Sequence, residues 1–330
     1  MKELLGISEG NEFSLLLLSD GTVYSFGENK NSELGLGESA PPRTTLPKHL
    51  PSLSNIKQIS AGMTHAIALT KDGLVYAWGK NNYGQVSLEI KGNVKSPYLV
   101  RPLKNIESVS AAIGYTLALD SNGHVWQWGS DSSKDVSSLE MHDGLQNIVW
   151  IGATDPFALA LNDLGELYWW GSPTYFSQNP NAPTLPGKFP FDKKIIAVSA
   201  GVSHVLFKTT DGTLYGFGEN YDSQLGPFYK AWDPNIPVKI NIGRARSVKT
   251  FVAGRDFSAI LTNNDKLYLW GTTYTPNTEQ ESFVYGSSTF IPVKNKLFLN
   301  LPFTNSATLP PPPSNIENAW RKLRAGELVL

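Results

Sequence analysis

Short apolar runs separated by polar turns recur along the chain in a fixed arrangement. The stretch AGMTHAIALTKDGLVYAWG, Ala61 to Gly79, returns as the near copy AGVSHVLFKTTDGTLYGFG, Ala200 to Gly218. An aromatic residue followed by glycine ends each such stretch, and these glycines are Gly27, Gly79, Gly129, Gly171, Gly218 and Gly271. Their separations of 42 to 53 residues are typical of repeat architectures. The sequence therefore predicts six repeated units.

Each unit divides into strands by its residue types. In the second unit, IKQIS precedes Ala61, HAIAL starts at His65, and LVYAWG ends at Gly79; such β-branched and aromatic runs favour strands. Asp-Gly or Asn-Gly pairs between the last two runs suit a two-residue hairpin turn, because they tolerate positive φ. A proline-containing piece such as IPVKI, Ile236 to Ile240, supplies a fourth, edge strand. Four strands per unit predict the blades of a β-propeller.

Each unit also contains an aromatic or imidazole ring at one fixed position. These rings are Phe13, His65, Tyr115, Phe157, His204 and Phe257. Because phenylalanine and tyrosine fill the same position elsewhere, we expect His65 and His204 to pack or form local hydrogen bonds rather than to catalyse. The remaining histidines, His49, His124 and His142, have no metal-ligand spacing, so no metal site is predicted.

Composition narrows the classes of partner and chemistry. The 28 basic and 29 acidic residues leave a net charge of -1, which argues against nucleic acid as a partner. The chain has no cysteine, so disulfides and thiolate nucleophiles are excluded. The apolar run SLLLL at Ser14 to Leu18 is too short for a membrane span. No glycine-rich segment opens a helix as a phosphate loop does. We expect an untargeted cytoplasmic protein without membrane insertion or a cofactor.

Two stretches resemble a known repeat. These are ISAGMTHAIALTKDGLVYAWGKNNYGQ, Ile59 to Gln85, and VSAGVSHVLFKTTDGTLYGFGENYDSQLG, Val198 to Gly226, and both are similar to the repeat of the RCC1 (regulator of chromosome condensation) family. The resemblance implies an all-β, RCC1-like β-propeller of four-stranded blades over residues 1–295. That family is typically seven-bladed, whereas six repeats are recognisable here. Six blades are therefore favoured, and seven remains open.

The resemblance also implies a function. The founding member is a guanine-nucleotide exchange factor for the small GTPase Ran, and bacterial effectors of this type act on host GTPases, which would place such an effector in the host cytoplasm. A Ran-like or Rab-like GTPase is therefore the expected protein partner, and exchange needs no covalent catalytic residue. Two features depart from the family: the chain has neither its wedge hairpin nor a basic N-terminal tail. The alternative is a non-enzymatic scaffold or inhibitor.

One face of the propeller is the predicted binding surface. The short turns before the ring positions share that face with the long loops that follow each aromatic-glycine pair. Acidic residues in these turns are important for exchange in the founding member, and the matching residues here are Glu12, Asp155 and Asp256. Met63 and Arg255 complete the turn candidates. Phe228, Tyr229 and Trp232 in the loop PFYKAWDP are candidate interface anchors, with packing onto the blade edge as the alternative.

Residues 296–330 form a separate tail in the sequence. The run LPPPP, Leu309 to Pro313, favours polyproline II and either spaces the tail or recruits a proline-binding adaptor. Ser314 and Glu317 have capping-box spacing at the start of a short C-terminal helix. The stripe of Ile316, Trp320 and Leu323 makes that helix amphipathic. We expect it to dock on the propeller.

Overall fold

The computed structural model describes residues 2–129, 139–155, 157–171, 183, 185–226, 236–242, 247–255, 257–264, 266–276 and 281–293. Within these residues, 24 strands form six four-stranded antiparallel sheets and no helix is present. Each sheet is one blade, numbered 1 to 6 in chain order. The predicted proline run and C-terminal helix lie outside the described residues, as do Phe228, Tyr229, Trp232 and Asp256.

Blades 1 to 3 come from the first part of the chain. Blade 1 contains β1 (Leu4–Glu9), β2 (Phe13–Leu18), β3 (Val23–Glu28) and β4 (Arg43–His49). Blade 2 contains β5 (Ile56–Ala61), β6 (His65–Thr70), β7 (Val75–Gly79) and β8 (Val94–Leu99). Blade 3 contains β9 (Ile106–Ala111), β10 (Tyr115–Asp120), β11 (Val125–Gly129) and β12 (Glu140–Met141). In each blade the strands pair in chain order.

Blades 4 to 6 repeat this meander. Blade 4 contains β13 (Ile148–Ala153), β14 (Phe157–Asn162), β15 (Leu167–Gly171) and β16 (Gly187–Lys188). Blade 5 contains β17 (Ile195–Ala200), β18 (His204–Thr209), β19 (Leu214–Gly218) and β20 (Val238–Lys239). Blade 6 contains β21 (Val248–Ala253), β22 (Phe257–Thr262), β23 (Leu267–Pro276) and β24 (Glu281–Val293). The predicted six blades of four strands are confirmed for the described part of the chain.

The hairpin between the second and third strands is one residue longer than the sequence predicted. In blade 2, the Thr70 N–H donates to the Leu74 carbonyl over 2.9 Å, so three residues, 71–73, form the loop. Gly73 takes a φ of 78°, whereas Lys71 and Asp72 keep negative φ. The expected two-residue turn is therefore wrong. A two-residue turn whose residues keep negative φ does not match the right-handed twist of the strands. A third loop residue, Gly73, lies in the left-handed region and restores the match.

Apolar side chains join successive blades. Leu15 of blade 1 and Trp78 of blade 2 are both 0% exposed and belong to one apolar cluster. Four further clusters join blades 2 to 3, 3 to 4, 4 to 5 and 5 to 6. The tryptophans that precede the terminal glycines are buried in these clusters. The core of the propeller therefore lies in the seams between blades.

Hydrogen bonds also join neighbouring blades at these seams. The Ser8 hydroxyl of blade 1 accepts a hydrogen bond from the Ala61 N–H of blade 2 over 2.8 Å. The same serine-to-alanine link joins Ser60 to Ala111, Ser110 to Ala153 and Ser199 to Ala253 over 2.9 to 3.0 Å. In these four seams the links fix the height of the first, inner strand of one blade relative to the inner strand of the next.

Gly79 of blade 2 must remain glycine because its φ is 103° and an added Cβ would lie 2.7 Å from the Thr64 carbonyl oxygen.

Candidate functional site

The turns between the inner and second strands meet around the propeller axis. The Asn11 N–H of blade 1 donates to the Met63 carbonyl of blade 2, and the Met63 N–H donates to the Ala112 carbonyl of blade 3. On the other side of the ring, the Asp155 N–H donates to the Val202 carbonyl over 2.7 Å. Because the backbone of one turn is hydrogen-bonded to the next, the side chains of these turns are held at fixed places. They surround one end of the propeller axis, which we call the mouth.

A cavity of about 240 Å³ opens at this mouth, and we call it the axial cavity. Its walls are the last residues of the inner strands, Ala61, Ala111, Ala153 and Ala200. Because these side chains are only methyl groups, the space along the axis stays unfilled. The polar residues of its lining are Asn11, Thr154, Asp155, Ser203, Glu219 and Arg255. The cavity therefore combines an apolar wall with a charged mouth.

Asp155 has a perturbed carboxyl group at the axial cavity. It is half-buried between blades 4 and 5. Burial and, to a lesser extent, the negative charge of Glu219 together raise the pKa of its carboxyl to about 6. Among the described residues, Asp155 forms no ion pair with a lysine or arginine. A carboxylate without a partner lysine or arginine is thus held at the mouth of the axial cavity.

The other turn candidates surround this group. Met63 is 39% exposed and lines the axial cavity. Arg255 is exposed at the mouth, and its Nη1 donates to Asn11 Oδ1 over 3.0 Å, which links blade 6 to blade 1. Glu12 lies next to the mouth, outside the cavity lining, and is exposed, with its Oε2 at 4.0 Å from Lys30 Nζ. The structure thus brings Met63, Asp155 and Arg255 together and leaves Glu12 on the rim.

Sequence reasoning missed Glu219. This residue follows the aromatic-glycine pair of blade 5, and its N–H donates to the Ser203 carbonyl in the adjacent turn over 2.9 Å. The equivalent residues Glu28 and Lys80 bond to the turns of blades 1 and 2 in the same way. The signal was present, because the residue after the terminal glycine is hydrogen-bonded to the turn at the mouth in blades 1, 2 and 5, whether it is acidic or basic. A comparison of that position across the six repeats would have found Glu219.

The two ring-position histidines lie outside the axial cavity. His204 Nε2 is 2.8 Å from the Ser258 hydroxyl of the next blade, and that hydroxyl donates to the Gln224 carbonyl over 2.7 Å. The imidazole must therefore donate its N–H to the serine oxygen. His65 makes the same contact with Thr116 over 3.0 Å. Burial lowers the pKa of both imidazoles to about 3, so they are neutral structural groups.

In the part of the chain that the structure describes, no group of three or more histidine, aspartate or glutamate side chains is placed to hold a metal ion. In the same part of the chain, no helix is long and apolar enough to cross a membrane.

Repeated four-stranded blades around an axis, with loops and a charged cavity at one end, define a β-propeller with a candidate protein-binding face. The particular family follows from the sequence match. The family model for the RCC1-like domain matches residues 2–281, and the chain belongs to this family. The resemblance predicted from the two repeat stretches is confirmed.

Individual relatives match parts of the chain. Human HERC3, a probable E3 ubiquitin-protein ligase, is 37% identical over 102 residues, which are 30% of this chain and 10% of HERC3. The mouse X-linked retinitis pigmentosa GTPase regulator is 39% identical over 93 residues, or 28% of this chain and 9% of the regulator. The chain therefore spans about a tenth of the length of these curated relatives.

A solved structure matches nearly the whole chain. The crystal structure of Prp20p from Saccharomyces cerevisiae has a TM-score of 0.73 and 21% sequence identity. The match covers 98% of this chain and 86% of Prp20p. At this identity the likeness shows the shared propeller fold.

Proposed function

We propose that this propeller binds a small GTPase through the face that carries the axial cavity and promotes release of its bound guanine nucleotide. Membership of the RCC1-like domain family supports the proposal. Prp20p was characterised with its binding to Gsp1p and histones, and the mouse relative is named as a GTPase regulator. The observation that carries the proposal is Asp155, a half-buried carboxylate without an ion pair among the described residues.

Exchange on this face requires binding energy rather than covalent chemistry. A protein that binds the nucleotide-free GTPase more tightly than the nucleotide-loaded GTPase shifts the population toward the nucleotide-free form. Loss of nucleotide uncovers basic groups that had neutralised phosphate. Asp155 at the mouth and the exposed Glu12 on the rim would form ion pairs with such groups. These contacts strengthen as the nucleotide leaves, so they lower the barrier to release.

A nucleotide-release assay tests the proposal. Ran-like and Rab-like GTPases are loaded with fluorescent GDP, and release is measured with and without the full chain. For the GTPase that responds, we expect Asp155→Asn to slow stimulated release about tenfold, because one charge-assisted contact is lost. Asp163→Asn is the matched control. Asp163 is an exposed carboxylate in the turn between β14 and β15, at the opposite end of blade 4 from Asp155.

The assay also separates the alternative function. Tight capture of a nucleotide-free GTPase without faster release would favour a scaffold or inhibitor. A panel in which no GTPase binds would contradict the proposed function and would leave a scaffold for a different protein as the alternative. The relatives reported above come from human, mouse and yeast, and they give no support to the expectation of a bacterial effector. The cytoplasmic location stays a prediction.

A further inference from the structure

The axial cavity has two unlike sides. Blades 2 and 3 contribute Met63 and Ile113, whose side chains are apolar. Blades 4 and 5 contribute Asp155 and Glu219, whose carboxyl groups are close enough for the charge of Glu219 to raise the pKa of Asp155. An occupant therefore meets an aliphatic surface at blades 2 and 3 and carboxyl groups at blades 4 and 5.

The size of the cavity limits what it holds. About 240 Å³ is less than the roughly 300–1,000 Å³ that is usual for drug-sized ligands. A single long side chain is the right scale. Lysine and arginine lay an aliphatic stem along apolar surface while the charged end group stays in polar surroundings. That division matches the two sides of the cavity.

The charges of the site call for a cation. Two effects oppose the ionised form of Asp155: partial burial and the like charge of Glu219. A cation between the two carboxylates would relieve both effects at once. Arg255 lines the same cavity, but its Nη1 is engaged with Asn11 of blade 1.

We propose that the axial cavity receives one arginine or lysine side chain of the bound protein partner. The stem lies against Met63 and Ile113, and the cationic group lies between Asp155 and Glu219. The inference rests on the proposed function for the identity of the partner, which would be a small GTPase. The chemistry of the cavity is independent of that identity and is testable without any GTPase.

The first experiment uses small probes on the full chain. The deuterated, ¹⁵N-labelled protein is titrated by NMR with N-acetyl-arginine methylamide, N-acetyl-lysine methylamide and the neutral isostere N-acetyl-citrulline methylamide. We expect saturable shifts of the amides of Met63, Asp155 and Glu219 with a cationic probe, and about tenfold weaker binding of the citrulline probe. Equal binding of the citrulline probe, or the absence of shifts at these amides, would overturn the proposal.

The second experiment changes the protein. Asp155→Asn with Glu219→Gln keeps side-chain volume and removes both charges, and we expect the cationic probe to bind at least tenfold more weakly. Glu38→Gln, which removes one carboxylate outside the cavity, should bind as the parent does. A thermal melt of each variant checks folding. The citrulline comparison needs no variant, so a poorly folded double variant would still leave the proposal open to refutation.

The two levels of inference fail in different ways. If the arginine or lysine probe binds in the axial cavity but no GTPase is captured, the proposed function fails and the cavity chemistry stands with another protein partner. If a GTPase binds but its affinity is unchanged by the double substitution, the partner does not place a cation in the cavity. That second outcome refutes the further inference and the ion pair proposed for Asp155, and it leaves binding of the GTPase to the propeller intact.

Discussion

At the scale of single residues, Glu9 breaks a pattern that the other five blades share. It occupies the end of an inner strand, where the other blades have Ala61, Ala111, Ala153, Ala200 and Ala253. Glu9 is 9% exposed, and burial raises the pKa of its carboxyl from 4.5 to about 8. The folded protein therefore keeps this proton at neutral pH, whereas the unfolded chain releases it.

Glu9 should make the propeller less stable as the pH rises. Between pH 4.5 and about 8 the folded state binds more protons than the unfolded state, so the free energy of unfolding falls with pH, by at most about 1.4 kcal/mol per pH unit. The low pKa values of His65 and His204 have the opposite effect, but only below 6.5. We expect denaturant unfolding to show the decline above pH 6.5.

Substitution of this carboxyl isolates its effect. Glu9→Gln removes the titrating group, so the free energy of unfolding should stay nearly constant from pH 6.5 to 8. Glu38→Gln, at an exposed carboxylate, should retain the slope of the parent. An equal slope in Glu9→Gln and the parent would show that another group carries the pH dependence.

At the scale of elements, the second strands pair their residues across the seams. His204 of β18 donates to Ser258 of β22, and His65 of β6 donates to Thr116 of β10. At three of the other four seams the ring is not histidine and the next blade has no hydroxyl; these pairs are Phe13 with Ala66, Tyr115 with Ala158, and Phe157 with Val205. Histidine and hydroxyl therefore act as one unit across two of the seams.

A double-mutant cycle should reveal this coupling. Ser258→Ala leaves the buried His204 N–H without its acceptor, which costs about 1–3 kcal/mol of unfolding free energy. His204→Phe removes the donor and costs about 1 kcal/mol. The double variant should be more stable than the sum of these costs allows, because it restores the apolar pairing of the other seams. The Gln224 carbonyl keeps its bond from Trp270 Nε1 at 2.8 Å. Strictly additive costs in urea unfolding would argue against the coupling.

The seam between blades 6 and 1 departs from this pairing. Ser14 of β2 has the hydroxyl, but the ring position of blade 6 is Phe257, whose side chain has no N–H to donate. The Ser14 hydroxyl is buried without a hydrogen-bond partner. The side-chain bond that joins the described parts of these two blades runs instead from Arg255 to Asn11. This seam is therefore held by different chemistry from its neighbours.

At the scale of the whole molecule, repetition decides what the sequence reveals. The blade number, the strand order and the structural role of His204 follow from comparing one repeat with another, because a feature shared by all blades belongs to the fold. The same comparison placed Met63, Asp155 and Arg255 at one mouth. It could not give the half-burial of Asp155 or its closeness to Glu219, since both depend on how blades 4 and 5 lie against each other.

The shared clusters also predict how the propeller unfolds. Successive blades from 1 to 6 bury their apolar side chains together. Each described blade therefore shares at least one apolar cluster with a neighbouring blade. Leu15 is 0% exposed in the seam between blades 1 and 2. Leu15→Ala should lower the free energy of unfolding by about 2–5 kcal/mol. Because the seams are continuous, we expect that loss to reach blades 4 and 5.

Hydrogen exchange in mild urea measures this transmission. Peptides covering β14 and β18 should lose protection by the same free energy as peptides covering β2 and β6, because all of them exchange through one cooperative opening. Leu164→Ala is the matched control, since Leu164 is 62% exposed in the turn between β14 and β15, and its removal should change little. If Leu15→Ala loosens β2 and β6 while β14 and β18 stay protected, the blades open separately, and the seams do not bind the propeller into one cooperative unit.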